Sequence, residues 1–233
     1  MPRNGQSQAH LLLRRAWAAR CDSAPKRLLF LRVFNAADKR ERLFDALDDT
    51  WRRIGRIDLI GGTDLAMRTL RSLTLECFLL KHVDTEFFKT DTEVEHRLAR
   101  LRSRLEGDLR YPVNEVYCYA DAWQAAVLRL APASDVVLLD LRGFTQGNAG
   151  CSFEITNVVW HVPLTRVVLL ADRTTDAKAL EDVARAAWAA LPSASPNASA
   201  AAPRLMVVSI SGPAEIETVV RVLFRTAFRE GGQ

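Results

Sequence analysis

Polar side chains that could serve a ligand gather in residues 134–172, SDVVLLDLRGFTQGNAGCSFEITNVVWHVPLTRVVLLAD. An apolar run, Val136-Val137-Leu138-Leu139, ends in the charged pair Asp140 and Arg142. A loop bearing glycine and asparagine follows, then a short segment with Cys151 and Glu154, then a second apolar run, Val167-Val168-Leu169-Leu170. This is the pattern of strand, loop, helix and parallel strand, and ligands of open α/β sheets collect outside the carboxyl ends of such strands. A glutamate close to a helix N-terminus is expected in its ionised form. Cys151 has no base placed beside it by sequence and is expected to be a buried thiol. The Gly61-Gly62-Thr63-Asp64 turn could present backbone N–H groups to a phosphate. It lacks the spacing of a dinucleotide fingerprint or P-loop, so a structural tight turn is expected.

The elements that must position these residues follow from periodicity. Near-continuous apolar character over 27–34 suits a strand buried on both faces. Leu43, Phe44, Leu47, Trp51 and Ile54 form a helical stripe, with Gly55 just past its end. A strand is expected over 57–60 and a helix over 65–82, interrupted near Phe87-Phe88. A capping box of Thr92 and Glu95 opens a helix striped by Val94, Leu98, Leu101 and Leu105 and stopped by Pro112. Alternation predicts a strand over 113–119, and a helix follows over 121–130. Beyond residue 172, Thr175 or Asp176 can cap a helix bearing Leu180, Val183, Ala187 and Trp188. Residues 192–203, PSASPNASAAAP, read as a loop with no core-forming pattern. A strand over 205–210 precedes a last helix with Ile216, Val219, Val220, Leu223 and Phe224 on its buried face. Trp51, Trp123 and Trp188 are expected in the core, and His161 is an ordinary loop histidine before a strand.

Strands alternating with helices predict one doubly wound α/β domain over 27–233, with about five or six mostly parallel strands and helices on both faces. Residues 64–111 are expected as a helical insertion, and 1–26 as a lead-in carrying a short basic helix. Four scattered cysteines, Cys21, Cys77, Cys118 and Cys151, form no Cys-x-x-Cys pair, which argues against metal or redox motifs and for a reducing compartment. The net charge of +4 comes from arginines spread over several helical segments without interleaved aromatics, so no nucleic-acid footprint is expected. No apolar run approaches the roughly 20 residues that cross a bilayer. HLLLRRAWAARC carries no small-residue cleavage site; as a basic amphipathic helix it could touch a membrane or a partner. A cytoplasmic protein is expected, with membrane association through that N-terminal segment as an option.

The run from Trp123 through Leu170 resembles the second half of a TIR (Toll/interleukin-1 receptor) or SEFIR-type domain. Ser134-Asp135-Val136 enters the buried strand, Phe144 lies in the loop, and Gly150-Cys151-Ser152-Phe153-Glu154-Ile155 stands where a Trp-Cys-x-x-Glu-Leu motif belongs. LFLRVFNAADKRERLFDAL is similar to the opening box of those domains. Gly150 replaces the motif's tryptophan, and Asp140-Leu141-Arg142-Gly143-Phe144 replaces its Ser-Pro-like loop. The resemblance implies a flavodoxin-like, TIR-like fold and cleavage of NAD at the nicotinamide–ribose bond, with Glu154 as catalytic carboxylate stabilising an oxocarbenium-like ribosyl centre. By the same resemblance Phe34, Asn35 and Asp38 line the pocket from the first strand, beside Asp140 and Cys151. Arg142 could meet a phosphate and Phe144 a ring face. NAD would then be substrate rather than prosthetic group, and partners would be a homo-oligomer or another TIR-like protein in bacterial defence or effector signalling. The alternatives are a non-catalytic TIR-like interaction or signalling module, or a nucleotide-binding domain that shares the architecture alone.

Overall fold

The computed structural model of the protein describes residues 24–32, 41–61, 87–88, 91–118, 122–200 and 203–229. Its strands are β1 (Lys26–Arg32), β2 (Gly55–Gly61), β3 (Phe87–Phe88), β4 (Val113–Cys118), β5 (Val136–Asp140), β6 (Val167–Ala171) and β7 (Met206–Ser209). Its helices are α1 (Glu41–Thr50), α2 (Asp91–Leu98), α3 (Ala122–Ala133), α4 (Ala149–His161), α5 (Ala177–Ala189) and α6 (Ile216–Ala227). The strands form one sheet in the order β3-β4-β2-β1-β5-β6-β7, and every pairing is parallel. The doubly wound α/β architecture expected from the alternating pattern is present, and it is consistent with a flavodoxin-like fold.

All side chains of β5 and β6 are buried, as continuous apolar runs require in a sheet covered on both faces. Alternate residues feed two cores. Leu29, Leu31, Val137, Leu139, Val167 and Leu169 pack with α3, α4 and α5 on one face. Leu28, Phe30, Val136, Leu138, Val168 and Leu170 pack with α1 and α6 on the other. The α6 stripe of Ile216, Val219, Val220, Leu223 and Phe224 is buried as expected, and Phe224 meets Trp51 edge-on at 5.7 Å. Trp123 and Trp188 are partly buried against the cores.

From β1 the strand order runs outward through β2 to β4, and α3 returns the chain to β5 on the other side of β1. The order therefore reverses between β1 and β5, the position where open α/β sheets hold ligands beyond the strand ends. Parallel register, from Leu28 opposite Val136 to Arg32 opposite Asp140, brings those two charged residues to one level.

Four local expectations change. Gly55 is not a helix cap: it starts β2, where a Cβ would lie 2.0 Å from the Lys26 carbonyl oxygen. Phe87-Phe88 is a short strand paired with β4 rather than a helix interruption. The helix read as reaching Leu105 ends at Leu98: beyond it Leu101 still packs against the core, while Leu105 is exposed. The segment leading to β4 is instead tied down by charge, Arg52 reaching the Tyr111 carbonyl (2.5 Å), Asp48 and Glu106 (both 2.7 Å), and Arg110 reaching Asp48 (2.6 Å). The Gly62-Thr63-Asp64 part of the turn, the helix expected over 65–82 and most of the lead-in lie outside the described residues.

The loop after α5 is the fourth. Ser195 and Asn197 are buried within it. Asn197 Nδ2 donates to the Val159 and Val162 carbonyls (both 2.8 Å), and its Oδ1 accepts from Leu164 N–H (3.0 Å). One amide thus holds the loop to the end of α4. Replacing Asn197 by Ala is expected to cost about 2–4 kcal/mol, since it strands three buried backbone groups. Chemical denaturation against the exposed neighbour Ser199→Ala, expected within about 0.5 kcal/mol of wild type, checks this.

Candidate functional site

The exit of β5 is built as a braced loop. Leu141 N–H donates to the Leu170 carbonyl (2.8 Å) and Phe144 N–H to the Leu141 carbonyl (2.9 Å), with Gly143 between them at φ +79°. That left-handed conformation favours glycine. Asn148 Oδ1 accepts from both Thr145 N–H (2.7 Å) and Thr145 Oγ1 (2.9 Å), closing the turn into α4. Two bonds tie this loop to the exit of β6: Thr175 Oγ1 to the Leu141 carbonyl (3.0 Å) and Asp176 N–H to the Phe144 carbonyl (2.9 Å). Asp176 also caps α5 by accepting from Ala179 N–H (3.0 Å), as expected.

Strand alternation turns Asp140 to the α1/α6 face, with Val136 and Leu138. Arg142 meets it with two prongs, Nε to Oδ1 at 2.7 Å and Nη2 to Oδ2 at 2.5 Å, and both residues are buried. Burial alone would lower the Arg142 pKa, but the hydrogen bonds and charge of Asp140, with Asp172 nearby, hold it above the ordinary value. The fork expected to meet a phosphate is therefore engaged by a carboxylate of its own loop. Phe144, expected to offer a ring face, is fully buried in the α3–α4–α5 core.

Glu154 lies elsewhere on the same edge. Because α4 starts at Ala149, Glu154 sits in its second turn rather than its first, and it is 4% exposed. No hydrogen bond or ion pair reaches its carboxylate among the described residues. Burial pushes its pKa up to about 8. The expectation of an ionised glutamate is overturned, because loss of hydration outweighs the helix dipole. Cys151, one turn earlier, is buried in the same core; burial, with the charge of Glu154, pushes its thiol up to about 12. It is an inert core thiol rather than a ligand-facing group.

Gly150 lies against an aromatic ring of the neighbouring helix. A Cβ at Gly150 would lie 3.8 Å from the ring of Trp123 on α3, and that ring stacks edge-on against Phe153 at 5.1 Å. An indole thus occupies the α3–α4 junction from the opposite helix. Glu154 lies one turn beyond Gly150 and so shares its flank of α4. His161 ends α4, exposed, instead of lying in a loop.

Of the remaining expected residues, Phe34, Asn35 and Asp38 fall outside the described residues. Two residues at this edge were not singled out by sequence. Arg32 closes β1 opposite Asp140, and its Nε is buried without an acceptor among the described residues. Asp172 follows β6 and lies in the field of Arg142. A charged residue at the carboxyl end of an apolar run was the available signal for both. Among the described residues no cluster of His, Cys, Asp and Glu could hold a metal ion, and no helix is long and apolar enough to cross a membrane.

A separate cavity of about 710 Å³ opens between α5 and the β6–β7 edge, walled by Leu180, Trp188, Leu205 and Val207. Its charged rim residues Glu181 and Arg185 pair with each other (2.5 Å), and it shares with the site above Asp172 and Thr175, both at the β6 exit. It has a ligand-sized volume but lacks convergent polar groups, so the β1–β5 crevice is the better candidate site. No protein-family model, curated protein or solved structure matches this chain.

The raised Glu154 pKa has a consequence for stability. The folded protein holds a proton that the unfolded chain releases above about pH 4.5, so this contribution is complete below that pH and is lost as pH rises through about 8. Wild type is expected to lose on the order of 3 kcal/mol relative to Glu154→Gln between pH 5 and pH 7.5. Parallel denaturation curves measure it; equal slopes for the two proteins would show that Glu154 is ionised in the fold.

Proposed function

We propose that this chain is a TIR-like domain that takes a dinucleotide at the β1–β5 crevice and cleaves NAD at the nicotinamide–ribose bond, with Glu154 as the carboxylate of the reaction. The observation that carries the reading is the placement of the β5–loop–α4 unit directly beside β1 at the strand-order reversal. There the edge collects Arg32, Asp140, Arg142 and Asp172 around a site whose next helix bears a buried acid with no partner among the described residues.

The chemistry fits a carboxylate better than an acid. Nicotinamide leaves as a neutral ring when the C–N bond electrons return to its pyridinium nitrogen, so the leaving group needs no proton. Positive charge develops on the ribosyl centre, where an anion in a dry site is most effective, until water adds and releases its proton. In the isolated chain Glu154 holds its proton near neutral pH. Turnover therefore requires a higher pH, or an assembled state that lowers the pKa by bringing hydrogen-bond donors or positive charge to the carboxylate.

A second reading, a non-catalytic TIR-like interaction module, is favoured by the Asp140–Arg142 pairing, which leaves the loop's guanidinium facing its own chain. The experiment that separates them is nicotinamide release from NAD by concentrated protein, with and without a crowding agent, across pH 6 to 9. Release that rises with pH toward a plateau above about pH 8, and falls at least a hundredfold in Glu154→Gln, is the expected result. Glutamine suits the test because it keeps the size and neutral charge of the buried group. Absence of release in every assembled state and at every pH would sink the enzymatic reading.

A further inference from the structure

We propose that Arg32 is the anion-binding residue of the β1–β5 crevice and takes a phosphoryl oxygen of the ligand that enters there. The inference rests on reading that crevice as the ligand site, and it adds the chemical group the ligand must carry.

Arg32 is the last residue of β1 and stands in register with Asp140 at the strand-order reversal. It is half-buried, and its Nε is buried with no acceptor among the described residues. Folded proteins pair nearly all buried donors, so an orphan guanidinium N–H at a strand exit is suited to an acceptor supplied from outside the chain. The nearby carboxylates do not satisfy it. Asp140 gives both oxygens to Arg142, and Glu115 accepts from Tyr117 on its own strand. Burial lowers the Arg32 pKa against the pull of Glu115 and Asp140, so desolvation outweighs those charges. A planar fork with one prong already desolvated matches a phosphate oxygen edge. Arg142, locked to Asp140, instead braces the loop beside it.

Calorimetric titration of the full chain with inorganic pyrophosphate, AMP and adenosine tests this. AMP and pyrophosphate are expected to bind at least tenfold more tightly than adenosine. In Arg32→Gln both should fall at least tenfold, to the level of adenosine, while the ligand-free melting temperature holds or rises, because an unpaired buried donor has been removed. AMP binding well above pyrophosphate assigns the phosphate to a nucleotide; equal binding assigns a free-anion site, and either supports the role of Arg32. Unchanged binding in Arg32→Gln, or no phosphate-dependent binding to wild type, overturns it. Should Arg32→Gln fail to fold, Arg32→Lys decides: it keeps charge but loses the fork, so a tenfold loss supports the proposal and undiminished binding overturns it. Binding is read separately from turnover. Phosphate binding lost in Arg32→Gln with no NAD cleavage by wild type would sink the glycohydrolase reading and leave Arg32 assigned; binding and cleavage both unchanged in the variant would sink Arg32 alone.

Discussion

Burial on both faces of the central strands governs where this protein can place charge. Every side chain of β5 and β6 is enclosed, and β1 is enclosed from Leu28 to Leu31. A one-residue slip of any of these strands would exchange the side chains feeding the two cores, so their register is tightly specified. Charged groups are then tolerated where the strands run out, and Arg32 and Asp140 sit at that limit. Inside the sheet, Asp58 on β2 is buried but held by Arg56 Nε (3.0 Å) and Asn114 Nδ2 (2.8 Å). Burial still raises its pKa, with those partners offsetting part of the effect.

The same constraint explains which parts of the fold were legible. Val136-Val137-Leu138-Leu139 and Val167-Val168-Leu169-Leu170 announce buried parallel strands because nothing polar interrupts them, and the α6 stripe is read as easily. The end of α2 is not legible: Leu101 packs on the core from beyond the helix and Leu105 is exposed, while Arg52 and Arg110 tie down the segment that follows through partners far away in sequence. Asn197 is illegible for a different reason. Its burial is satisfied by carbonyls more than 30 residues away in sequence (35 and 38), and hydrogen bonding leaves no hydrophobic period.

At the candidate site the positions of Asp140, Arg142 and Glu154 could be read, but their states could not. Asp140 and Arg142 are two residues apart, yet their closure on each other depends on the φ of Gly143 and the ties to the β6 exit. For Glu154 the helix dipole, worth about 0.3–1 kcal/mol near a helix start, competed with a desolvation that raises the pKa to about 8. A shift of that size corresponds to several kcal/mol, so burial wins. Arg32 escaped notice because a strand-end arginine ordinarily reaches water, and its orphaned Nε becomes visible through packing alone.

The contact between Gly150 and Trp123 has a consequence for how such sequences vary. One indole fills the α3–α4 junction, and it comes from α3 because position 150 contributes no side chain. A Cβ at position 150 would touch that indole at ordinary contact distance, so a longer side chain there would compete with it for space, and two small residues would uncover Phe153. Related chains should therefore treat positions 123 and 150 as a coupled pair, with a bulky residue at one accompanied by a small residue at the other. An aromatic ring moved from α3 to α4 would preserve the packed volume while changing which helix carries it, so two sequences that look dissimilar at these positions could share the same packing.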